Sequence, residues 1–534
     1  MPRILPAAAL AAACALASPN GAGAVTVVAP GPDGRALLVR SSDAGMQLVE
    51  RDAAGRLRPA RTLAPATVYP ALAAWGPSGS ALVLATDQLR DGPYTLLMLR
   101  RASGAERFGA PATLARATPI QVLSAEADER GNVAVLVRTD LRRTALLTAV
   151  RGGALGPPQE LDIGTADAAV AVGGGGRVLL TWYDAARHGV YARTGTIGSA
   201  LGAPQPLAAD APFTDVVAAV DDAGNATVAF VLPDRRRRFG PSALVAARAR
   251  PDRRFGSPAV LGLGGPAQMG AGFASLDAAA AGTTTAVTWD PNDSVDTKPF
   301  GGRLGVAVAR GGGRFGPAAA PSAPTVLSTG RRGLFGQPAG PSVAVDRAGD
   351  VLLAYEYGYA VHASLRPARS TRFGPPRAIS SLARNGGPVA ALLRDRRPLV
   401  ACEGFDGVTG IATRLGARRP DLTPPRISVR LRRDAAAQLR DDNAVEVRAG
   451  CSQACLVEAR ATLRTPTGRT ILYEGASTAL PRGATFTKRF VFDPTRPSGR
   501  AGDGARVRIT IIAGNASGAS RQAVRQLELK PEPG

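Results

Sequence analysis

The chain has 534 residues and a mass of 54.6 kDa, which is too large for one ordinary domain and predicts two or three units unless a repeat extends one of them. Its net charge of +23 comes almost entirely from arginine, because Lys298, Lys488 and Lys530 are the only lysines. Ala, Gly and Pro are also abundant, which is the bias that GC-rich codons produce, and no basic stripe with interleaved aromatic residues is present. The charge therefore does not indicate a nucleic-acid partner.

The N-terminus has the pattern of a signal peptide. A short basic start is followed by the apolar stretch from Ile4 to Leu16, and Ala22-Gly23-Ala24 offers small residues where a signal peptidase cuts. We expect residues 1–24 to be removed and the mature protein to be secreted, either extracellular or at the cell surface. Lipid anchoring through Cys14 is not favoured, since no Leu lies three residues before it, and no later apolar run is long enough for a transmembrane segment.

A short motif of Phe or Leu, then usually Gly, then one or two prolines returns every 46 to 60 residues. Its copies begin at Leu57, Phe108, Leu155, Leu201, Phe255, Phe315 and Phe373. Such a period is the sequence pattern of a repeat architecture, in which each unit contributes one small sheet or helix pair.

The clearest unit predicts four short strands, at residues 342–345, 351–355, 360–365 and 377–379. Its first two strands are joined by the tight turn Asp346-Arg347-Ala348-Gly349, and related turns begin at Asp128 and Asp222. Four antiparallel strands per repeat predict a blade of a β-propeller, because one such sheet cannot bury both faces alone. We expect the propeller to span 25–420 with about eight blades, seven being the alternative.

These Asp-Gly hairpins resemble those of exported propellers of the sialidase-like and NHL type, over about 390 residues. The resemblance implies the architecture and nothing more. The turns carry an extra residue between Asp and Gly, no Thr-Trp follows them, and the Phe-Arg-Ile-Pro motif of sialidases is absent. No sialidase catalytic residue is therefore transferred to this chain.

A stiff Pro-containing linker at 421–425 precedes a second unit over 426–530. Seven alternating strands are predicted there, at about 426–431, 444–448, 456–463, 470–474, 485–492, 507–512 and 523–529. They resemble an immunoglobulin-like or fibronectin-type β-sandwich, so the whole chain is predicted to be all-β. Cys451 and Cys455 are expected to close a small disulfide loop, and Cys402 to be a buried thiol outside it.

The candidate ligand-binding residues lie at strand ends. An acidic residue stands at or just after the end of the predicted second strand in six units: Asp87, Asp140, Asp184, Asp290, Glu356 and Glu403. These positions represent either ordinary loop polarity or a partial acidic ring at the mouth of the propeller channel. Trp182, Trp289 and Tyr355 come one or two positions earlier and serve either blade packing or sugar stacking.

No nucleophile elbow, phosphate loop or dinucleotide motif is present, and His188 and His362 lie in different units. We therefore predict no catalytic residue, no metal site and no cofactor. The favoured function is a secreted, non-enzymatic binding or scaffold protein for a glycan or protein of the cell envelope. The alternative is a carboxylate-dependent hydrolase or lyase acting on glycans, since paired carboxylates from different blades leave no local motif.

Overall fold

The computed structural model of the protein describes residues 26–530, apart from 43, 77–78, 88–93, 118–119, 129, 140–142, 151–152, 164–166, 210, 212–213, 234–240, 267–272, 292–303, 321–340, 358–359, 380–387, 394–396, 404–408, 413–422, 467–469, 493–503 and 515–519. Nearly all regular structure in this part is strand, and one α-helix, α1 (Ala435–Asp441), is present among the described residues. The predicted all-β class is therefore confirmed.

The strands form sheets in chain order. Sheet 1 contains β1 (Thr26–Pro30), β2 (Ala36–Arg40), β3 (Met46–Arg51) and β4 (Arg61–Ala64), and sheet 2 contains β5 (Val68–Trp75), β6 (Ala81–Asp87), β7 (Tyr94–Arg101) and β8 (Ala112–Ala117). Sheet 3 contains β9 (Gln121–Ala127), β10 (Val133–Arg138), β11 (Thr144–Ala149) and β12 (Gln159–Leu161), and sheet 4 contains β13 (Asp167–Gly173), β14 (Arg177–Asp184), β15 (Gly189–Thr196) and β16 (Gln205–Ala208).

Sheets 5 to 8 follow in the same manner. Sheet 5 contains β17 (Val216–Val220), β18 (Ala226–Pro233), β19 (Pro241–Ala249) and β20 (Ala259–Pro266), and sheet 6 contains β21 (Phe273–Ala281), β22 (Thr284–Pro291) and β23 (Gly305–Arg310). Sheet 7 contains β24 (Ser342–Val345), β25 (Val351–Tyr357), β26 (Ala360–Arg366) and β27 (Arg377–Ala378), and sheet 8 contains β28 (Val389–Leu392), β29 (Pro398–Glu403) and β30 (Thr409–Ala412). Each strand pairs antiparallel with its chain neighbour, and in sheet 7 all four strands lie where the repeat predicts them.

The first strands of these eight described sheets lie side by side around a ring. β1 packs on β5, β5 on β9, β9 on β13, β13 on β17, β17 on β21, β21 on β24, β24 on β28, and β28 again on β1. Apolar clusters fill the spaces between neighbouring sheets, and the cluster that joins the last sheet to the first contains Leu38, Val49 and Leu399. A circular array of antiparallel meander sheets is the arrangement of a β-propeller.

The recurring motif marks the point where the outermost strand begins to pair. In each copy one backbone N–H, from Arg58 or from the motif glycine, donates to a carbonyl of the third strand. The pairs are Arg58 with Glu50, Gly109 with Arg100, Gly156 with Thr148, Gly202 with Thr194, Gly256 with Arg248, Gly316 with Val308 and Gly374 with Leu365. A Cβ on Gly202 would lie 3.2 Å from the Thr194 carbonyl, so the close approach of the two backbones favours glycine there.

The hairpins between first and second strands are held by their aspartates. Asp128 accepts hydrogen bonds from the backbone N–H and the side-chain amide of Asn132, at 2.9 and 2.7 Å. Asp221 accepts the same pair from Asn225, at 2.8 Å each, so this turn begins one residue before the predicted Asp222. Gly224 has a φ of 78°, the left-handed conformation that glycine adopts at no cost.

The C-terminal part contains two further sheets. Sheet 9 has the order β31 (Ile427–Leu431), β32 (Ala444–Cys451), β35 (Thr485–Val491), and sheet 10 has the order β34 (Thr470–Leu480), β33 (Cys455–Arg464), β36 (Arg506–Gly514), β37 (Ser520–Glu528). Val445 and Val447 of sheet 9 share one apolar core with Val457 and Ile509 of sheet 10. The helix α1, which lies between β31 and β32, was not predicted.

Candidate functional site

The backbone places five of the six predicted acidic residues at equivalent strand ends. Asp87, Asp184 and Glu403 are the last residues of the second strands of their sheets, and Asp290 and Glu356 are the last but one. Asp140 lies outside the described residues, as do the side chains of Asp290, Glu356 and Glu403. All second strands run in the same direction around the ring, so these five positions belong to the same end of it.

Two of these carboxylates have described surroundings. Asp184 is 6% exposed, and its Oδ1 accepts backbone N–H bonds from Ala186 and Arg187 at 3.0 Å each. The Arg187 guanidinium lies 3.6 Å from the other carboxylate oxygen, so Asp184 orders its own turn. Asp87 is half-buried, and its Oδ1 is buried without a hydrogen-bond partner among the described residues.

The three predicted aromatic residues are buried between sheets. Trp182 is 1% exposed, its ring stacks on Tyr191 with 5.6 Å between centroids, and the Arg193 guanidinium lies 5.6 Å from its ring. Trp289 is 4% exposed and lies in the cluster between sheets 5 and 6, and Tyr355 is 7% exposed in the cluster of sheets 6 to 8. Packing against neighbouring sheets is what these rings do in the described structure.

Two inner-strand aspartates, which the sequence interpretation did not single out, connect neighbouring sheets. Asp167 opens β13, and its Oδ2 accepts the backbone N–H of Val216 in β17 at 2.8 Å. Asp277 in β21 does the same for Val343 in β24, also at 2.8 Å, while its Oδ1 accepts the N–H of Ala278. Each carboxylate thus satisfies a backbone donor on the first strand of the next sheet, where no strand ladder reaches it.

Two serines take the corresponding role in other sheets. Ser124 Oγ in β9 accepts the N–H of Val170 in β13 at 3.1 Å, and Ser342 Oγ in β24 accepts the N–H of Ala390 in β28 at 3.1 Å. Ser124, Asp277 and Ser342 each stand four residues before the residue that opens the hairpin of their sheet. A small side-chain acceptor at one repeated position therefore fixes the spacing between sheets.

These inner carboxyl groups resist ionisation because the ring shields them from water. Burial raises the pKa of Asp277 to about 7, and burial together with the charge of Asp215 raises the pKa of Asp167 to about 7. The pKa of Glu126 in β9 is raised well above its ordinary value, by burial and by the charge of Asp277. Glu126 and Asp277 belong to sheets 3 and 6, which are not neighbours, so they interact across the centre of the ring.

A second polar group lies where the first and second strands are connected, at the opposite end from the predicted acidic ring. The Asp222 N–H donates to the Gly282 carbonyl of the next sheet at 2.9 Å, and the Asp222 carboxylate forms an ion pair at 3.0 Å with Arg347, two sheets away. Burial, together with the charges of Asp221 and Asp128, raises the pKa of Asp222 to about 6. These contacts tie hairpins of sheets 5, 6 and 7 together.

The histidines and the metal-binding residue types form no site in the described part of the chain. His362 is fully buried and stacks on Tyr355 with 5.8 Å between ring centroids, and His188 occupies a turn with a φ of 48°. No group of three or more His, Cys, Asp or Glu side chains there is arranged to hold a metal ion. No helix among the same residues is long and apolar enough to cross a membrane. The predicted disulfide between Cys451 and Cys455 is confirmed.

No protein-family model matches the chain, and no curated protein matches it in sequence. Several solved structures match it at low similarity. The fucose-specific lectin of Aleuria aurantia is 11% identical, with 65% of this chain and 94% of the lectin covered and a TM-score of 0.33. A Hadza microbial sialidase, Hz136, is 12% identical with a TM-score of 0.30, and the match covers 48% of this chain and 61% of the sialidase. Prolyl oligopeptidase B from Galerina marginata is 7% identical with a TM-score of 0.39, over 74% and 55% of the two chains.

Proposed function

We propose that the chain is exported, loses residues 1–24, and acts outside the cytoplasm as a non-enzymatic binding platform for a glycan or protein of the cell envelope. The platform is an eight-bladed β-propeller over 25–420, followed by a linker at 421–425 and an immunoglobulin-like β-sandwich over 426–530. The disulfide between Cys451 and Cys455 supports export, since such bonds persist in oxidising compartments. The packing of β1 on β28 supports closure of eight blades into one ring.

The observation that supports the binding role most directly is that the side chains of Asp167 and Asp277 each accept a hydrogen bond from a backbone N–H of the neighbouring sheet. A carboxyl group whose oxygen accepts a fixed backbone N–H from the neighbouring sheet maintains the geometry between the two sheets. A ring held in this way presents the loops at its ends in constant positions. Such preorganisation lowers the entropy lost on binding, which is the property that a recognition surface needs.

The proposed ligand site is the end of the ring where the second strands finish. Asp87, Asp184 and Glu403 end their strands there, and Asp290 and Glu356 precede the last residue of theirs. Clustered carboxylates set a local negative field that a net charge of +23 elsewhere does not cancel, because the field within a cleft governs what it attracts. Such a site favours the hydroxyls of neutral sugars or cationic groups, and it repels sialic and uronic acids.

The test is a glycan array on the mature protein, followed by calorimetric titration of the best ligand. The double variant Asp290→Asn with Glu356→Gln should fold normally, because each substitution exchanges a carboxyl group for an amide of nearly the same size. Its affinity should fall at least tenfold. Asp252→Asn removes an exposed carboxylate that pairs with Arg253 in a turn of sheet 5, and it should bind as the wild type does. Equal affinity of the double variant and the wild type would refute the acidic site.

The second candidate is a glycan-active hydrolase or lyase. It is favoured by the raised pKa of Glu126, to which burial contributes most and the charge of Asp277 contributes as well, since a general acid must stay protonated near neutral pH. A turnover screen on the sugars that bind in the array separates the two functions. Turnover that disappears in Glu126→Gln would establish the enzyme and overturn the binding platform.

A further inference from the structure

A groove lined by arginines lies between sheets 6 and 7, where their third strands end. It has a volume of about 300 Å³, and Arg310, Arg314, Arg366 and Arg369 line it together with Thr371. Arg310 pairs with Thr284 at the start of β22, and Arg366 pairs with Val351 at the start of β25. The groove is therefore at the opposite end of the sheets from Asp290 and Glu356.

The guanidinium groups of this groove form no ion pair with the described residues. Within the described residues, Arg310, Arg314 and Arg369 make no side-chain hydrogen bond or ion pair, and Arg366 donates only its Nε, to the Ser370 carbonyl at 2.8 Å. Burial, and then the charge of Arg310, lower the pKa of Arg366. The four positive charges thus face one cavity and repel one another, and an anion in the cavity would relieve this repulsion.

Arginines at comparable positions in other sheets have partners. Arg101, the last residue of β7, contacts the Glu50 carboxylate, and Arg51, the last residue of β3, donates to the Gly34 carbonyl. Around the groove, the carboxylate of Asp350 accepts the Ala368 N–H at 2.6 Å. That contact stabilises the turn that carries Arg369 and does not neutralise the four guanidinium groups.

We propose that this groove binds an oxyanion group, such as a phosphate, a sulfate or the carboxylate of an acidic sugar. A guanidinium presents a planar fork of N–H donors that matches such groups with two parallel hydrogen bonds. Arg310 and Arg366 come from adjacent sheets, so one oxyanion between them would accept hydrogen bonds from arginines of both β23 and β26. The cavity is large enough for the group and part of the molecule that carries it.

The experiment is calorimetric titration of the mature protein at physiological ionic strength, with inorganic phosphate in one arm and a polygalacturonate oligosaccharide in the other. Arg310→Gln with Arg366→Gln should weaken binding at least tenfold. Arg314→Gln with Arg369→Gln, which removes two exposed arginines, is the second variant and should weaken binding in the same direction. The charge-matched control is Arg56→Gln with Arg253→Gln, since both arginines follow third strands of other sheets and pair with a nearby aspartate.

Phosphate binding that weakens in the groove variants and not in the control supports a site that binds the free ion. Binding confined to the oligosaccharide, with the same dependence on the variants, supports a site for oxyanions carried on a polymer. If neither ligand binds, or if the control loses as much affinity as the groove variants, the proposal is overturned. The variant Asp290→Asn with Glu356→Gln should keep its phosphate affinity, so this groove and the acidic site are tested separately.

Discussion

At the scale of single residues, Asp277 couples the stability of the ring to pH. Its pKa in the fold is about 7, whereas an unfolded chain ionises it near its ordinary value of 3.8. The folded state therefore holds an extra proton between these values, and the free energy of unfolding falls as pH rises through this window. One such group contributes a slope of up to about 1.4 kcal/mol per pH unit.

We expect Asp277→Asn to reduce this slope by up to about 1.4 kcal/mol per pH unit, because the amide oxygen still accepts the Val343 N–H and carries no charge. Asp167 and Asp222, whose pKa values are also raised, keep the remaining slope. Urea unfolding at intervals from pH 4 to pH 8 measures the slope. Asp277→Ala should show an equally reduced slope at lower stability, since it leaves the N–H groups of Val343 and Ala278 without their acceptor. A slope in Asp277→Asn equal to that of the wild type would contradict the ionisation argument.

At the scale of the elements, the repeated motif has a hydrogen bond that can be removed selectively. Gly256→Pro deletes the N–H that donates to the Arg248 carbonyl at 3.0 Å and should cost about 1 to 3 kcal/mol. Gly256→Ala keeps the donor, and its Cβ would lie 4.0 Å from the same carbonyl, so this control should be neutral or slightly stabilising. Thermal unfolding followed by circular dichroism compares them, and equal losses would show that the hydrogen bond contributes nothing.

Elements with local signals were predictable, and contacts between elements were not. The hairpins of sheets 3 and 7 were predictable because each turn has Asp and Gly within five residues of each other. The four strands of sheet 7 were predictable from their apolar residues. The roles of Asp167 and Asp277 depend on partners 49 and 66 residues away, for which a single sequence carries no signal. The helix α1 was missed because its seven residues are too few to show a helical period.

At the scale of the whole molecule, the contact between sheets 1 and 8 predicts a single cooperative unit. The chain has three tryptophans, and Trp75, Trp182 and Trp289 lie in sheets 2, 4 and 6, so tryptophan fluorescence reports on the ring. Leu399→Ala, at a fully buried position between sheets 8 and 1, should cost about 2 to 5 kcal/mol and shift the fluorescence transition as a whole.

Leu463→Ala is the matched control, because Leu463 is equally buried in the core of sheets 9 and 10. It should lower the stability of the C-terminal unit, measured by circular dichroism, and leave the fluorescence transition in place. A broad or two-step fluorescence transition in Leu399→Ala would show that the sheets unfold in separate groups.

The packing of β1 on β28 also determines how the chain completes its folding. Neighbouring first strands elsewhere in the ring are separated by about 50 residues, whereas this last contact joins positions about 360 residues apart, so its loop-closure entropy is larger by only about 2 kcal/mol. Contacts of such high sequence separation form slowly, and until this one forms the apolar faces of both sheets stay open to other chains. A circular permutant opened at another blade would keep every native contact and move the slow step. The position of the chain termini thus changes the contacts of the folded ring very little, but it changes the rate at which the ring forms.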